Sequence, residues 1–317
     1  MLALGRPGFR MSPEPPPFIT PAKDSRLRPD FISLALWQAK RILPARQVPL
    51  LGVTAAFVFA AQMLNFPIAA GTSGHLIGGV LAAVLVGPGA AVIVMTAVLV
   101  LQCFLFQDGG ASALGANILN MALVSVVTGY AVYAATRRLA GGTRGVILGA
   151  AFAGWCSTVL AALCCAGELA LSGRVAWRVV FPAMGGVHML IGLGEGAITA
   201  LVLIAVARAR PELLDARTEM TRPGQALVLG LIAAVGLALF VSPFACGWPD
   251  GLEKIAGNLG FEHFAAEKPL VSAPMPEYGL PGLKGAWVTP LVGAVGTLTA
   301  FVLAWVLART LTPKKES

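Results

Sequence analysis

Hydrophobic residues occur along this chain in eight runs, separated by short stretches rich in glycine, proline or charge. Several runs reach the roughly 20 residues with which an α-helix crosses a bilayer. Backbone N–H and C=O groups find no partners in lipid, so spanning segments must be helical. The pattern therefore predicts an all-α fold, a polytopic transmembrane helical bundle of about eight spans, over residues 49–67, 73–87, 89–107, 113–135, 145–171, 180–208, 224–245 and 287–308.

The run at 73–87 is short and rich in glycine, which favours a segment packed inside the bundle over one that faces lipid. Before the first run, residues 31–43 have the pattern of a short amphipathic helix that is too basic to span. Residues 1–30 contain PEPPP and scattered charges, which predict a disordered N-terminal extension. They lack the apolar core of a secretory signal.

Composition agrees with a membrane protein. The chain is 57% hydrophobic and 12% charged, with a mean hydropathy of +0.79, whereas soluble domains carry about 25% charged residues. The five cysteines show no CxxC spacing. They are interpreted as small buried apolar side chains, neither a disulfide framework nor a thiolate metal site.

Basic residues predict the orientation, because cytoplasmic loops of membrane proteins carry an excess of Lys and Arg. The residues predicted to lie inside are Lys40, Arg41, Arg46, Arg137, Arg138, Arg144, Arg208, Arg210, Arg309, Lys314 and Lys315. Arg174 and Arg178 fall outside, as does the segment 246–286, which is predicted to form a small extracytoplasmic cap. The net charge of +8 therefore indicates orientation in the inner or plasma membrane of the cell and no binding of nucleic acid.

Polar side chains gather near the predicted outer ends of the first four spans. The residues of this predicted pocket are Gln62, Asn65, Ser73, Gln102, Asn117 and Asn120. A single intramembrane amide is more often a helix–helix hydrogen bond than a ligand. Burying so many polar groups in lipid costs free energy, so they are expected to face the bundle interior and one another. Their grouping in one leaflet favours an outward-facing pocket for a solute.

Two histidines belong to this predicted pocket. His75 stands in GTSGHLIGG, where glycines let the backbone approach a ligand, and imidazole suits nickel, cobalt, copper and zinc. His75 is therefore the predicted metal ligand. In GVHMLIGLGEGAIT, His188 and Glu195 are seven residues apart and share a helix face. They are interpreted as an imidazole oriented by a carboxylate, with direct ligation by His188 as the less favoured alternative.

Catalytic motifs are absent from the sequence. It has neither the HExxH of a metalloprotease nor the GxSxG elbow of a serine hydrolase. It also lacks a GxxxxGK[ST] loop, so the energy for any pumping must come from a partner. We therefore expect a solute-capture membrane protein that is not an enzyme.

Three stretches resemble the substrate-capture membrane subunit of cobalt and nickel energy-coupling-factor transporters, the CbiM/NikM family. They are PLLGVTAAFVFAAQMLNFPIAAGTSGHLIGGVLAAVLVGP, QDGGASALGANILNMA and GVHMLIGLGEGAIT, in the family order. PDGLEKIAGNLGFE, followed by MPEYGLPG and a last apolar run, resembles the CbiN/NikN-like PDGLE domain that is often fused behind this family. The resemblance implies a capture domain over 31–210 and an auxiliary domain over 224–311, whose two spans bracket an extracytoplasmic loop.

The resemblance also implies function. The transported ligand would be Co²⁺ or Ni²⁺, with no resident cofactor, and the partners would be a transmembrane coupling subunit and cytosolic ATPase subunits. His75 matches the ligand histidine of the family's GTSGH motif, Asn117 and Asn120 match the polar face beside it, and His188 with Glu195 match the H…GEG motif.

One departure from the family concerns the N-terminal arm. The family begins MHIPDG, whose amine, backbone nitrogen and second-position histidine supply most of the metal ligands, whereas this sequence begins MLALGRPG and has no histidine before His75. A separate peptide that supplies the arm, weak metal binding, a pocket for another solute and a misassigned start all stay open. The predicted function is the substrate-binding component of an ABC-type importer for cobalt or nickel. The alternative is a membrane scaffold or sensor that does not transport.

Overall fold

The fold is that of a computed structural model, which describes residues 48–214, 223–264 and 269–311. The predicted disordered extension (1–30) and amphipathic helix (31–43) lie outside these residues. The helices in chain order are α1 Val48–Gln62, α2 Gly79–Val86, α3 Pro88–Leu101, α4 Gly110–Asn117, α5 Ser125–Ala140, α6 Gly142–Leu171, α7 Trp177–Ala209, α8 Pro223–Gly236, α9 Gly251–Leu259 and α10 Val288–Leu311. Wider π-helical turns continue α3 (Gln102–Phe106) and α8 (Leu237–Val241), and one joins α4 to α5 (Ile118–Val124).

Six helices of the described chain are long and apolar enough to cross a membrane: Pro88–Phe106, Gly110–Ala140, Gly142–Leu171, Trp177–Ala209, Gly224–Phe244 and Val288–Leu311. They confirm the predicted all-α, polytopic membrane fold. The other two predicted spans are shorter as helices, since α1 has 15 residues and α2 has 8. The eight spans predicted from hydropathy therefore correspond to six long helices and two short ones.

A β-hairpin replaces helix where the first two predicted spans meet. Strands β1 (Phe66–Pro67) and β2 (Ser73–Gly74) pair antiparallel, with Phe66 opposite Gly74. The prediction of helix over 49–67 is wrong beyond Gln62, because Pro67 disfavours helical backbone in the residue before it. The prediction of helix from residue 73 is wrong up to Gly78, whose φ of 81° is the left-handed conformation that glycine adopts without strain.

Small residues bring the longest helices into close contact. A Cβ atom built on Gly196 of α7 would lie 2.6 Å from the Ala151 carbonyl oxygen of α6, and one on Gly192 would lie 3.1 Å from the Trp155 carbonyl oxygen. Glycine lets two membrane helices pack backbone against backbone. In lipid no hydrophobic effect drives helices together, so the dispersion attraction at such contacts stabilises the pair. The α6–α7 pair is therefore the frame on which the residues of α7 are positioned.

Contacts between loops define two sides of the bundle. The Cys246 amide donates to the Asn65 carbonyl at 2.8 Å, and the Arg174 guanidinium lies 4.3 Å from the Phe264 ring centre. The hairpin, the α6–α7 loop and residues 245–264 and 269–287 therefore share one side. Basic residues end α5, α7 and α10 on the opposite side. By the positive-inside rule that side is cytoplasmic. The other side is called the outer side below, and residues 245–264 and 269–287 are called the outer segment.

Residues 275–278 fasten the outer segment to the bundle. The Met275 amide donates to the Leu105 carbonyl at 3.0 Å, and the Tyr278 hydroxyl donates to Asp108 Oδ2 at 2.7 Å. The Tyr278 ring stacks on Phe106 with a centroid separation of 4.8 Å. Main chain, hydroxyl and ring thus dock this segment together.

The Tyr278 hydroxyl is expected to titrate late. Desolvation raises the pKa of Tyr278 well above its ordinary value, and the adjacent Asp108 carboxylate raises it further. Because the folded-state pKa is raised, the contribution of the protonated group to stability is complete below pH about 10 and is lost as pH rises through the folded-state pKa. The alkaline absorbance titration of the wild type minus that of Tyr278→Phe should show a phenolate transition well above pH 10. A transition at or below that pH would contradict this docking.

Candidate functional site

The loop of residues 75–78, here the His75 loop, is held by interior side chains. The Glu195 carboxylate of α7 accepts from the Ile77 amide at 2.6 Å and from the Gly78 amide at 2.9 Å. From α1, Gln62 Nε2 donates to the Ile77 carbonyl at 2.7 Å. Two helices that are distant in sequence therefore fix three backbone groups of one loop.

Glu195 is fully buried, with 0% of its surface exposed. A buried carboxylate is costly unless hydrogen bonds replace its hydration. The two amide donors do so, and bonds to an ionised acceptor are about twice as strong as neutral ones. His75 also lies within electrostatic range of this carboxylate. The carboxylate thus holds the loop and contributes a negative potential where the loop carries its imidazole.

His75 is partly exposed at the start of this loop. Its Nδ1 lies 3.1 Å from the Leu76 carbonyl oxygen. With the Nδ1 proton donated to that carbonyl, Nε2 keeps its lone pair for a ligand, which is how a backbone carbonyl commonly orients a metal-binding histidine. The geometry therefore presents one nitrogen donor on a fixed loop.

His188 has a different partner from the one predicted. Its Nδ1 lies 2.8 Å from the Met184 carbonyl oxygen on its own helix, while both oxygens of Glu195 accept from the His75 loop. The interpretation of His188 as oriented by Glu195 is therefore wrong. The helical period predicts that His188 and Glu195 share a face. It does not determine whether the Glu195 carboxylate bonds an imidazole ring or a backbone amide. His188 instead lies within electrostatic range of His75 and Asp250.

The turn Trp248–Gly251 of the outer segment packs against the hairpin. The Ser73 amide donates to the Pro249 carbonyl at 2.9 Å, and Ser73 Oγ donates to the Trp248 carbonyl at 2.7 Å. A Cβ atom built on Gly251 would lie 2.9 Å from His188 Cε1, so only glycine fits beside the ring. Asp250 caps α9 by accepting from the Glu253 amide at 2.9 Å. The C-terminal part of the chain thus covers the outer face of the site.

The other predicted pocket residues lie elsewhere. Asn65 lies in the predicted span 49–67 but follows the end of the helix α1 at Gln62, and its carbonyl accepts from the Cys246 amide. Gln102 lies close to the Tyr278 hydroxyl. The Asn117 amide lies against Gly109, whereas Asn120 Nδ2 donates to Glu168 Oε2 at 3.1 Å.

The π-helical turn at 118–124 separates Asn117 from Asn120, because its wider turn rotates them off the common face expected of an α-helix. The structure therefore brings together with His75 four of the predicted residues: Gln62, Ser73, His188 and Glu195. Gln102 and Asn120 belong to two other polar contacts.

Sequence reasoning missed Asp250, Tyr278 and Glu168. Glu168 carried a usable signal, because an acidic residue inside an apolar run is rare and marks a functional position by default. Over residues 48–214, 223–264 and 269–311, no three His, Cys, Asp or Glu side chains form a group that could hold a metal ion. The site therefore offers one imidazole on a fixed loop under a negative potential.

Known proteins resemble this chain along most of its length. Residues 30–213 match the family model described as the cobalt uptake substrate-specific transmembrane region, and residues 224–313 match the PDGLE domain. A putative fused nickel transport protein NikMN of Archaeoglobus fulgidus is 39% identical over 271 residues, covering 85% of this chain and 88% of that protein. The fused nickel transport protein NikMN of Rhodobacter capsulatus is 34% identical, with 82% and 81% covered.

A solved structure is also similar. The crystal structure of a transition metal transporter superposes with a TM-score of 0.51 at 33% identity, covering 57% of this chain and 85% of that one. The chain therefore belongs to the CbiM family of cobalt-uptake substrate-specific transmembrane regions and carries a PDGLE domain behind it.

Proposed function

We propose that this protein is the substrate-binding membrane component of an energy-coupling-factor importer for cobalt or nickel ions. The observation that carries the proposal is His75, which stands partly exposed on a loop fixed by Glu195 and Gln62. The relatives named for nickel transport and the solved transition metal transporter support the same class of substrate.

The imidazole nitrogen of His75 determines which metal ions the site prefers. A neutral imidazole nitrogen suits Ni²⁺ and Co²⁺ better than Mg²⁺ or Ca²⁺, which prefer oxygen. The buried carboxylate of Glu195 adds an attraction for a dication that is strong in a low-dielectric interior. Because three bonds already order the His75 loop, little conformational entropy is lost on binding.

Release requires other proteins. The sequence has no phosphate-binding GxxxxGK[ST] loop, so ATP hydrolysis belongs to cytosolic ATPase subunits. A transmembrane coupling subunit would transmit it by reorienting the bundle. The ligands that His75 does not supply come from water or from a donor outside the site described above.

Calorimetric titration of Ni²⁺ into the full chain in lipid nanodiscs tests the proposal. His75→Ala should weaken binding at least about tenfold, which corresponds to about 1.4 kcal/mol for a lost ligand. His263→Ala is the matched control, because His263 packs on Phe264 at a centroid separation of 4.0 Å in the outer segment. Equal heats in wild type and His75→Ala, or no heat in either, would favour a scaffold or sensor over a transporter.

A further inference from the structure

A second buried polar contact lies between the π-helical turn after α4 and the outer end of α6. Asn120 is only 7% exposed, and its Nδ2 donates to Glu168 Oε2 at 3.1 Å. Glu168 stands in the last turn of α6, which ends at Leu171. This pair is separate from the His75 loop, whose bonds use Gln62 and Glu195.

Each member of the pair keeps a buried acceptor without a donor. Asn120 Oδ1 and Glu168 Oε1 are both inaccessible and have no hydrogen-bond partner. Leaving such an acceptor unpaired costs about 1–3 kcal/mol, and more for a charged group. Either oxygen would be satisfied by a bound cation or by a hydrogen-bond donor. Within the described residues, no Lys, Arg or His side chain forms an ion pair with Glu168.

The backbone departs from α-helical geometry to place Asn120 there. The π-helical turn Ile118–Val124 contains Asn120 and interrupts an otherwise continuous helix from Gly110 to Ala140. Single π-helical turns are less stable than α-helix and occur frequently at functional sites. An apolar residue on an undistorted helix would satisfy packing at lower cost, so the distortion indicates a role for the amide.

Acidic and soft side chains connect this pair to His75. Cys165, one turn before Glu168, lies within electrostatic range of both Glu168 and Asp250. His188 lies within range of Asp250 and His75. Electrostatic interactions therefore link Glu168, at the outer end of α6, with the surroundings of the His75 loop. Acidic groups that lie near one another raise the local concentration of cations.

We propose that Asn120 Oδ1 and Glu168 Oε1 form a second cation site near the outer surface, which receives the divalent ion before it reaches His75. A carboxylate and an amide carbonyl are oxygen donors of the kind that bind Mn²⁺ and Mg²⁺, with water completing the coordination. The site should therefore discriminate weakly among divalent cations, while His75 selects nickel and cobalt. Its role on the entry path rests on the proposed function; its existence as a cation site does not.

Mn²⁺ binding separates the two sites, because Mn²⁺ prefers oxygen donors. In an EPR titration of the full chain in nanodiscs, Mn²⁺ should bind the wild type and His75→Ala equally. Glu168→Gln should weaken that binding by at least about 10–100-fold, the loss that follows even when only an outer partner of a metal ligand is removed. Glu277→Gln removes an exposed carboxylate of the outer segment and is the matched control. If Mn²⁺ does not bind, or if Glu168→Gln leaves the Mn²⁺ affinity unchanged, the proposal of a second site is overturned.

Asn120→Asp distinguishes a cation site from a structural hydrogen bond. A second carboxylate should tighten Mn²⁺ binding if a cation lies between the two groups, and added Mn²⁺ should raise the melting temperature of this variant. If the pair is only structural, two adjacent carboxylates repel each other, so the variant is less stable and Mn²⁺ does not rescue it. The second outcome would overturn the proposal.

Stopped-flow association of Ni²⁺ tests the role on the entry path. Glu168→Gln should lower the association rate constant about tenfold and leave the dissociation rate constant unchanged, because steering acts on encounter. An unchanged association rate with lost Mn²⁺ binding would leave a cation site that is not on the path. If His75→Ala leaves the Ni²⁺ affinity unchanged, the proposed function is overturned. A Mn²⁺ site that depends on Glu168 would remain supported in that case.

Discussion

Glu195→Ala is expected to remove metal binding and to destabilise the protein at the same time. The Ile77 and Gly78 amides, which donate to Glu195 at 2.6 and 2.9 Å, would be left buried without acceptors. Each unpaired buried donor costs about 1–3 kcal/mol. The loop would then lose its fixed geometry, so the variant should lose more than the single ligand that His75→Ala removes.

The measurements for this prediction are thermal unfolding of the purified protein and Ni²⁺ calorimetry. Glu195→Gln should give an intermediate result, because the amide keeps one acceptor oxygen but turns an NH₂ donor toward a second N–H. Glu262→Gln changes an exposed carboxylate of the outer segment in the same way and should match the wild type. A Glu195→Ala protein with wild-type melting temperature and wild-type heats would refute the role of Glu195 in holding the loop.

Gly196→Val should prevent the bundle from assembling. A Cβ atom at Gly196 would lie 2.6 Å from the Ala151 carbonyl oxygen, and a backbone atom cannot turn aside as a flexible side chain can. The two longest helices would have to separate along their contact, and the cost should exceed the about 1–3 kcal/mol typical of overpacked cores. The expected result is little monodisperse protein after extraction.

Gly186→Val on the same helix is the matched control. Gly186 is exposed and has no atom within 4 Å of the position where a Cβ would be built. Both variants add the same side chain to α7, so helix propensity and hydrophobicity cancel in the comparison. Size-exclusion chromatography of the two proteins should show a loss for Gly196→Val alone, and equal yields would contradict the close packing of α6 and α7.

Much of the fold was predictable because hydropathy acts locally. Each long apolar run must be helical in lipid, so six of the predicted spans appear as long helices. The hairpin at 66–74 was not predictable in this way, since Phe66, Ser73 and Gly74 are as compatible with a helix as with a strand in an apolar run. The only local signals for the hairpin in the sequence were Pro67 and the glycines, some of which adopt a positive φ in the structure.

Part of the membership of the candidate site was predictable, but its bonds were not. His75, Gln62 and Glu195 were expected near one another, because intramembrane polar groups seek each other. That Glu195 binds the Ile77 amide, 118 residues away in sequence, depends on how α7 packs against the loop and has no local pattern. The pairing of Asn120 with Glu168 escaped prediction because a π-helical turn changes the face that an α-helical period assigns.

Two hydrogen bonds on the outer side of the joint between the two family regions are made entirely of main-chain atoms. The Ser73 amide reaches the Pro249 carbonyl, and the Cys246 amide reaches the Asn65 carbonyl. Such a joint tolerates sequence drift on both surfaces, because every residue except proline offers the same N–H group. Side chains around these two bonds can therefore change while the bonds are kept, and proline at position 73 or 246 is the substitution that would remove one of them.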